Sequence, residues 1–118
     1  MSAISPITTH ILDTALGRPA AGVSVSLSRL KSDQKHWEVL AEGLTNADGR
    51  VTDLLPPETE LPPGIYRMRF AVAPYFEQLG QSSFYPEVDI RFHLEHPDQH
   101  YHIPLLLSPF GFTTYRGS

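Results

Sequence analysis

Prolines and glycines divide this chain into short segments, and that division limits the folds it can adopt. The 118 residues include 11 prolines and 8 glycines, which lie mainly between apolar runs. Proline interrupts helices and central strands, and glycine favours turns. Short segments bounded in this way are typical of β-strands joined by turns. The length is that of one domain, so we predict a single domain over residues 1–118.

Alternation of apolar and polar residues identifies the strands. Val23, Val25 and Leu27 alternate with serines, and the same period of two runs through 88–94. This period is typical of a half-buried strand. The segment 74–80 begins with proline and ends with glycine, which predicts one short helix. Seven or eight strands with one helix predict an all-β fold, an antiparallel β-sandwich.

Composition argues against several classes of partner. The net charge is −4 and the nine lysines and arginines are scattered singly, unlike a surface that binds nucleic acid or anionic lipid. No stretch approaches the roughly 20 apolar residues of a membrane-spanning helix. The first residues have neither the basic start nor the apolar run of a signal peptide. We therefore expect a cytoplasmic protein that binds neither nucleic acid nor membrane.

The end of the chain is unusual. Most termini are frayed and polar, but residues 100–118 have the pattern of two strands around a turn at 108–109, and they end in Tyr-Arg-Gly-Ser. Phe110 and Phe112 are expected to face inward, so that Tyr115 faces outward. An aromatic ring, a cation, a glycine and a hydroxyl beside the chain carboxylate indicate that the terminus is part of a site.

Two histidines are expected on one outer sheet face. The period of two places His10 and His102 opposite the core-facing residues of their strands. If the two strands and the terminal strand are neighbours, both histidines and Tyr115 line one surface, together with Leu12 and Leu106. Leucines on an outer face favour a partner, so we predict an oligomer with the site at a subunit contact. The alternative is that each histidine is a solvated surface residue.

Zinc is a further alternative for these histidines. His100 and His102 point the same way along one strand, and His10 adds a third nitrogen. Three imidazoles with an open position suit zinc. However, the chain has no cysteine, and no carboxylate has a matching spacing. We therefore predict no metal.

Three blocks of sequence resemble one family. Residues 101–109 with the terminal Tyr-Arg-Gly-Ser resemble the C-terminal signature of the 5-hydroxyisourate hydrolase branch of the transthyretin family. Residues 9–13 with 17–20 resemble its N-terminal signature, and 45–50 resemble its arginine motif. The terminal tetrapeptide is the most specific part, since hormone-carrying transthyretins lack it.

The resemblance implies a fold, an assembly and a reaction. The fold is a transthyretin-like sandwich of two four-stranded sheets with one short helix. The assembly is a homotetramer, a dimer of dimers, with active sites in the channel between dimers. The small-molecule substrate is 5-hydroxyisourate, which is hydrolysed during urate breakdown without metal or other cofactor.

Chemical roles follow for the residues that match the family blocks. A neutral histidine, either His10 or His102, accepts a proton from water, because its unperturbed pKa lies near neutrality. Arg50 donates to carbonyl oxygens on which negative charge develops, and Ser118 orients a histidine or the water. The predicted catalytic residues are His10, Arg50, His102 and Ser118. The predicted substrate-binding residues are His10, Arg50, Tyr115, Arg116 and Gly117.

Two other functions stay open from the sequence. A carrier of this fold would hold small aromatic ligands in a tetramer channel. A structural or adhesive β-sandwich would leave the outer-face histidines without a role. Covalent catalysis is disfavoured, since the chain has neither a Gly-x-Ser-x-Gly motif nor a thiol.

Overall fold

The strands form two sheets that pack face to face. The computed structural model describes residues 5–118. The elements are β1 (Ile7–Asp13), β2 (Arg18–Pro19), β3 (Ser24–Leu30), β4 (Trp37–Leu44), β5 (Arg50–Val51), β6 (Gly64–Ala71), α1 (Val72–Gln78), β7 (Val88–Leu94), β8 (Tyr101–Ser108) and β9 (Gly111–Thr114). The first sheet has the order β2-β1-β8-β9, with β5 also paired to β1, and the second has the order β4-β3-β6-β7. The predicted β-sandwich with one short helix is confirmed.

The first sheet has five strands and one parallel pair, whereas the expectation was an antiparallel sheet of four strands. β1 and β8 run parallel, in register from Ile7 opposite Tyr101 to Asp13 opposite Leu107. The other edge of β1 is shared by the two-residue strands β2 and β5. Side-chain periodicity is the same in parallel and antiparallel strands, so the sequence could not distinguish the two arrangements.

The core lies between the inner faces of the two sheets. The alternating inward residues of β1, β3, β6 and β8 are buried, and α1 covers one end with Val72, Tyr75 and Phe76. Fully buried members include Ile7, Ile11, Val25, Leu27, Met68, Phe70 and Leu105. Each such side chain contributes roughly 1.5–3 kcal/mol through removal from water. No helix in residues 5–118 is long and apolar enough to cross a membrane.

Three local predictions were wrong. The helix begins at Val72 rather than Pro74, and the proline occupies a first-turn position whose N–H would have no intrahelical partner. Phe110 and Phe112 do not face inward, since they are 70% and 39% exposed. Phe110 lies in the two-residue turn between β8 and β9. Phe112 lies on the edge strand β9 and packs against Tyr85, with 5.3 Å between ring centroids.

A buried hydrogen bond ties α1 to β1. Asp13 is fully buried, and its Oδ1 accepts from the backbone N–H groups of Ala15 and Leu16, both at 3.0 Å. Its Oδ2 accepts from the hydroxyl of Tyr75 at 2.7 Å. Burial and this bond raise the pKa of Tyr75 to about 12. The helix is therefore fastened to the strand that carries His10.

Replacing Tyr75 with phenylalanine is expected to lower the free energy of unfolding by about 1–3 kcal/mol, because a buried carboxylate oxygen loses its donor. Urea denaturation measures the change. Tyr85→Phe is the matched control, since no hydrogen bond to the Tyr85 hydroxyl occurs within residues 5–118. Equal losses in the two variants would contradict the role assigned to the bond.

Candidate functional site

The outer face of the first sheet carries the two predicted histidines. β1 and β8 are neighbours, with Thr8 opposite His102 and His10 opposite Pro104. Both histidines are half-buried and alternate with buried residues of the same strands. The expected convergence of His10 and His102 on one surface is therefore present.

A tight turn brings Arg50 to the same face. Asn46 Oδ1 accepts from the N–H of Arg50 at 3.0 Å, and Gly49 has a φ of 74°, a conformation that favours glycine. The Gly49 carbonyl accepts from the N–H of Ile11 at 2.8 Å, which docks the turn on β1. β5 then pairs with β1 so that Arg50 lies opposite His10. Directly opposed residues share a sheet face, so the guanidinium is placed beside the imidazoles.

Thr8 links two imidazoles and was missed by the sequence analysis. Its hydroxyl oxygen lies 2.9 Å from Nε2 of His100 and 2.8 Å from Nδ1 of His102. The residue is only 5% exposed. A signal was available, because Thr8 precedes His10 by two residues and therefore shares its face.

The chain terminus crosses directly over His102. The N–H of Gly117 donates to the His102 carbonyl at 2.8 Å, and the two residues form a β-bridge. A Cβ on Gly117 would lie 3.1 Å from Cγ of His102, nearer still to Cδ2, and 3.2 Å from Cγ of Pro104. Only glycine permits this approach without displacement. The close crossing carries Ser118 to the site.

One cavity brings together most of the predicted catalytic residues. Its volume is about 330 Å³, and Arg50, His102 and Ser118 line it. The other lining residues are Thr8, Thr9, Thr52 and His100. His10 lies next to Arg50 in the strand register but is not among the lining residues. The cavity thus combines two imidazoles, a guanidinium and several hydroxyl groups.

Tyr115 and Arg116 lie at a different cavity. This second cavity, of about 410 Å³, lies between β7 and the β8–β9 pair, and His102 borders it as well. The Arg116 guanidinium stacks 4.4 Å from the ring centroid of Tyr101 and donates to Oε1 of Gln99 at 3.1 Å. These two side chains are therefore separate from Arg50. Their role in substrate binding stays a prediction.

Electrostatics favour neutral imidazoles at the site. Burial and the positive charge of Arg50 hold the pKa of His10 below its ordinary value of 6.5, against an opposing effect of Asp48. Burial, Arg50, His100 and His10 together hold the pKa of His102 below 6.5, against an opposing hydrogen bond to the Thr8 backbone. A neutral imidazole beside a fixed cation can take a proton from water while the cation stabilises negative charge on an oxygen.

These shifts predict a titration that NMR can measure. The Hε1 resonances of His10 and His102 are expected to titrate with midpoints below pH 6.5, so both rings are mainly neutral at pH 6.5 and above. In Arg50→Ala both midpoints are expected to rise, because the nearby positive charge is gone. Midpoints that stay fixed in this variant would contradict the effect of Arg50.

The histidines of this face are not grouped as a metal site. Within residues 5–118, no set of three His, Cys, Asp or Glu side chains is arranged to hold a metal ion. One ring nitrogen of His100 and one of His102 already contact the Thr8 hydroxyl.

Comparison with known proteins identifies the family. The family model described as HIUase/Transthyretin family matches residues 7–117. The chain belongs to this family. It is 47% identical to 5-hydroxyisourate hydrolase of Mus musculus, over 97% of this chain and 96% of that protein.

Two solved structures of the family are similar in fold. Klebsiella pneumoniae 5-hydroxyisourate hydrolase matches with a TM-score of 0.81 and 38% identity, covering 95% of this chain and 98% of that chain. Sea bream transthyretin in complex with thyroxine matches with a TM-score of 0.88 and 34% identity, covering 96% and 95%. The predicted transthyretin-like fold is confirmed. Because a hydrolase and a transthyretin in complex with thyroxine share it, the fold alone does not decide function.

Proposed function

We propose that this protein hydrolyses 5-hydroxyisourate. The observation that carries the proposal is the cavity in which His102, Arg50 and Ser118 meet on the outer face of the first sheet. A neutral base, a fixed cation and hydroxyl groups are the chemistry needed to open a cyclic amide with water. Similarity to proteins named 5-hydroxyisourate hydrolase supports the choice of substrate.

The proposed reaction is a direct attack by water. His102 or His10 accepts a proton from the water, whose oxygen forms a bond to the carbonyl carbon of the six-membered ring. Arg50 donates to the carbonyl oxygen and offsets the negative charge that develops on it. The carbon–nitrogen bond then breaks, and the leaving nitrogen takes the proton back from the imidazolium. Ser118 orients the water or the histidine.

The proposal includes substrate contacts at the chain terminus. Tyr115, Arg116 and Gly117 are assigned to substrate binding, with Gly117 keeping the terminus pressed on His102. Deleting residues 116–118 is therefore expected to abolish catalysis while leaving the sandwich folded.

Assembly and location also belong to the proposal. A homotetramer, a dimer of dimers, would bury the outer face where Leu12 and Leu106 lie half-exposed beside Pro104. Light scattering coupled to size-exclusion chromatography measures this state, and a monomer at assay concentration would contradict it. A cytoplasmic location is tested by cell fractionation.

The activity is tested in a cuvette. Urate oxidase generates 5-hydroxyisourate, the protein is added, and the decay of the intermediate's absorbance is compared with spontaneous decay. Strong acceleration at catalytic concentrations, lost in the chain truncated after Tyr115, is the expected result. A folded protein that leaves the spontaneous rate unchanged would reject the proposed hydrolase.

Gly117→Ala tests the close crossing of the terminus. The added methyl group overlaps the ring of His102, so the terminus must move, and displacements of about 1 Å can cost on the order of 10²-fold in rate. We expect a loss of that order in kcat/KM with an unchanged melting temperature. Gly111→Ala is the matched control, because a Cβ there meets only Oγ of Ser108, at 3.7 Å. Equal activities of the two variants would contradict the role of Gly117.

A further inference from the structure

Thr8, His100 and His102 form a hydrogen-bonded chain next to the proposed base. The Thr8 hydroxyl lies 2.9 Å from Nε2 of His100 and 2.8 Å from Nδ1 of His102. His100 is exposed, Thr8 is almost completely buried and His102 is half-buried. The hydrogen-bonded chain therefore leads from the exposed imidazole of His100 to the half-buried imidazole of His102, and both line the cavity.

The number of hydrogens on the Thr8 hydroxyl and the two imidazoles limits how these hydrogen bonds can be arranged. A hydroxyl has one hydrogen to donate and can accept two. If Thr8 donates to Nδ1 of His102, the neutral ring of His102 carries its hydrogen on Nε2. If Thr8 instead donates to Nε2 of His100, the Nδ1–H of His102 donates to Thr8, and Nε2 of His102 has a free lone pair. Within residues 5–118 no third partner of the Thr8 hydroxyl is present.

We infer that Thr8 is a positioning residue that sets the tautomer of His102, and that protonation of His100 reverses this setting. The inference rests on the proposed function, with Nε2 of His102 as the base. Neutral His100 accepts the Thr8 hydrogen, so His102 keeps a free Nε2. Protonated His100 can only donate from Nε2, so the Thr8 hydrogen turns to Nδ1 of His102. The hydrogen of His102 then lies on Nε2, which no longer accepts a proton from water.

Other charged groups face the rings of His100 and His102, and substitutions of Thr8 or His100 leave these groups unchanged. From β1 and β5 these are His10 and Arg50, and from the last residues it is Arg116, which donates to the His100 carbonyl at 3.4 Å. The titratable and charged groups at the second cavity beside His102 are Arg91, His93, Glu95, His96 and Tyr115. A pH effect that appears only on changing Thr8 or His100 is therefore assigned to the hydrogen bonds that join Thr8, His100 and His102.

Nitrogen NMR tests the tautomer without substrate. In ¹⁵N-labelled wild type at pH 8, His102 is expected to carry its hydrogen on Nδ1, with its signals assigned by their absence in His102→Asn. Thr8→Val removes the acceptor at nearly constant volume, and His102 is expected to shift to the Nε2–H form. Thr8→Ser is the matched control and keeps the wild-type tautomer. An Nε2–H form in the wild type, or the same tautomer in Thr8→Val, would overturn the inference.

Kinetics test the same chain through its effect on rate. Thr8→Val is expected to lower kcat about tenfold, the effect of losing one neutral hydrogen bond, with little change in KM. Thr8→Ser retains the rate. Equal kcat values for Thr8→Val and the wild type would overturn the positioning role.

The pH profile of His100→Ala distinguishes control of the His102 tautomer through Thr8, here called the relay, from simple charge repulsion between His100 and His102. Without His100 the Thr8 hydroxyl is free to accept from His102 at every pH, so the acid limb of kcat/KM is expected to move to lower pH. If His100 acted only through its charge, which lowers the pKa of His102, its removal would move that limb to higher pH. An upward or absent shift would overturn the relay.

The two proposals fail in different ways. A Thr8-dependent tautomer in a protein that does not accelerate the decay of 5-hydroxyisourate would reject the proposed function and leave the control of the tautomer standing. If the protein hydrolyses 5-hydroxyisourate but the tautomer of His102 does not respond to Thr8→Val, the proposed function is supported and the relay is rejected.

Discussion

Replacing Arg50 with alanine is expected to lower kcat/KM for 5-hydroxyisourate by about 10²–10³-fold, the usual effect of removing one donor to a developing oxyanion. Arg50 lines the cavity that also holds His102 and lies opposite His10 in the strand register. Because Arg50 is exposed and forms no salt bridge within residues 5–118, the melting temperature should change little. The coupled urate oxidase assay measures the rate, and thermal denaturation measures the stability.

Two further variants define what Arg50 contributes. Arg50→Lys keeps the charge but loses the planar fork that matches carbonyl oxygens, so its rate is expected to fall between those of wild type and alanine. Arg29→Ala removes the same charge from the other sheet, where the side chain pairs with Glu38 at 3.0 Å, and is expected to leave the rate unchanged. A near-normal rate in Arg50→Ala would reject the proposed role.

Replacing His102 with asparagine is expected to lower kcat by about 10²–10⁴-fold, the contribution typical of a general base. Asparagine removes the imidazole, yet its side-chain amide can still hydrogen-bond to Thr8 in place of Nδ1. The surrounding sheet should therefore stay folded, as near-ultraviolet circular dichroism would verify. The decisive measurement is kcat across pH, because the remaining rate should lose its dependence on the protonation of His102.

Comparison with His10→Asn identifies the base. His102 lines the cavity and His10 does not, so the His102 variant is expected to be the slower of the two. The reverse order would assign the base to His10 and reject the role given to His102. His36→Asn, at an exposed position just before β4, controls for the loss of any histidine.

Much of this protein could be predicted from short stretches of sequence. Alternation along 7–13 and 101–108 determines which side chains face the core, because strand geometry alternates faces whatever the neighbours are. For the same reason His10 and His102 could be placed on an outer face. The Asn46–Gly49 turn could be predicted because its residues favour that backbone locally, and it delivers Arg50 to β1.

Only the tertiary structure decided which of these groups meet. The contact between Thr8 and His102 joins residues 94 positions apart in the chain and depends on the parallel pairing of β1 with β8. The approach of Gly117 to His102, and the separation of Arg116 from Arg50, likewise depend on where the last residues cross the sheet.

The physical reason is the difference between local and long-range constraints. Each strand's periodicity reports only its own two faces, and each turn motif only its own backbone angles. The choice of neighbouring strands, and of their direction and register, is made by the packing of the whole core. The residue types of the site were therefore determined by the sequence, while the tertiary structure decided that His102, Arg50 and Ser118 share one cavity.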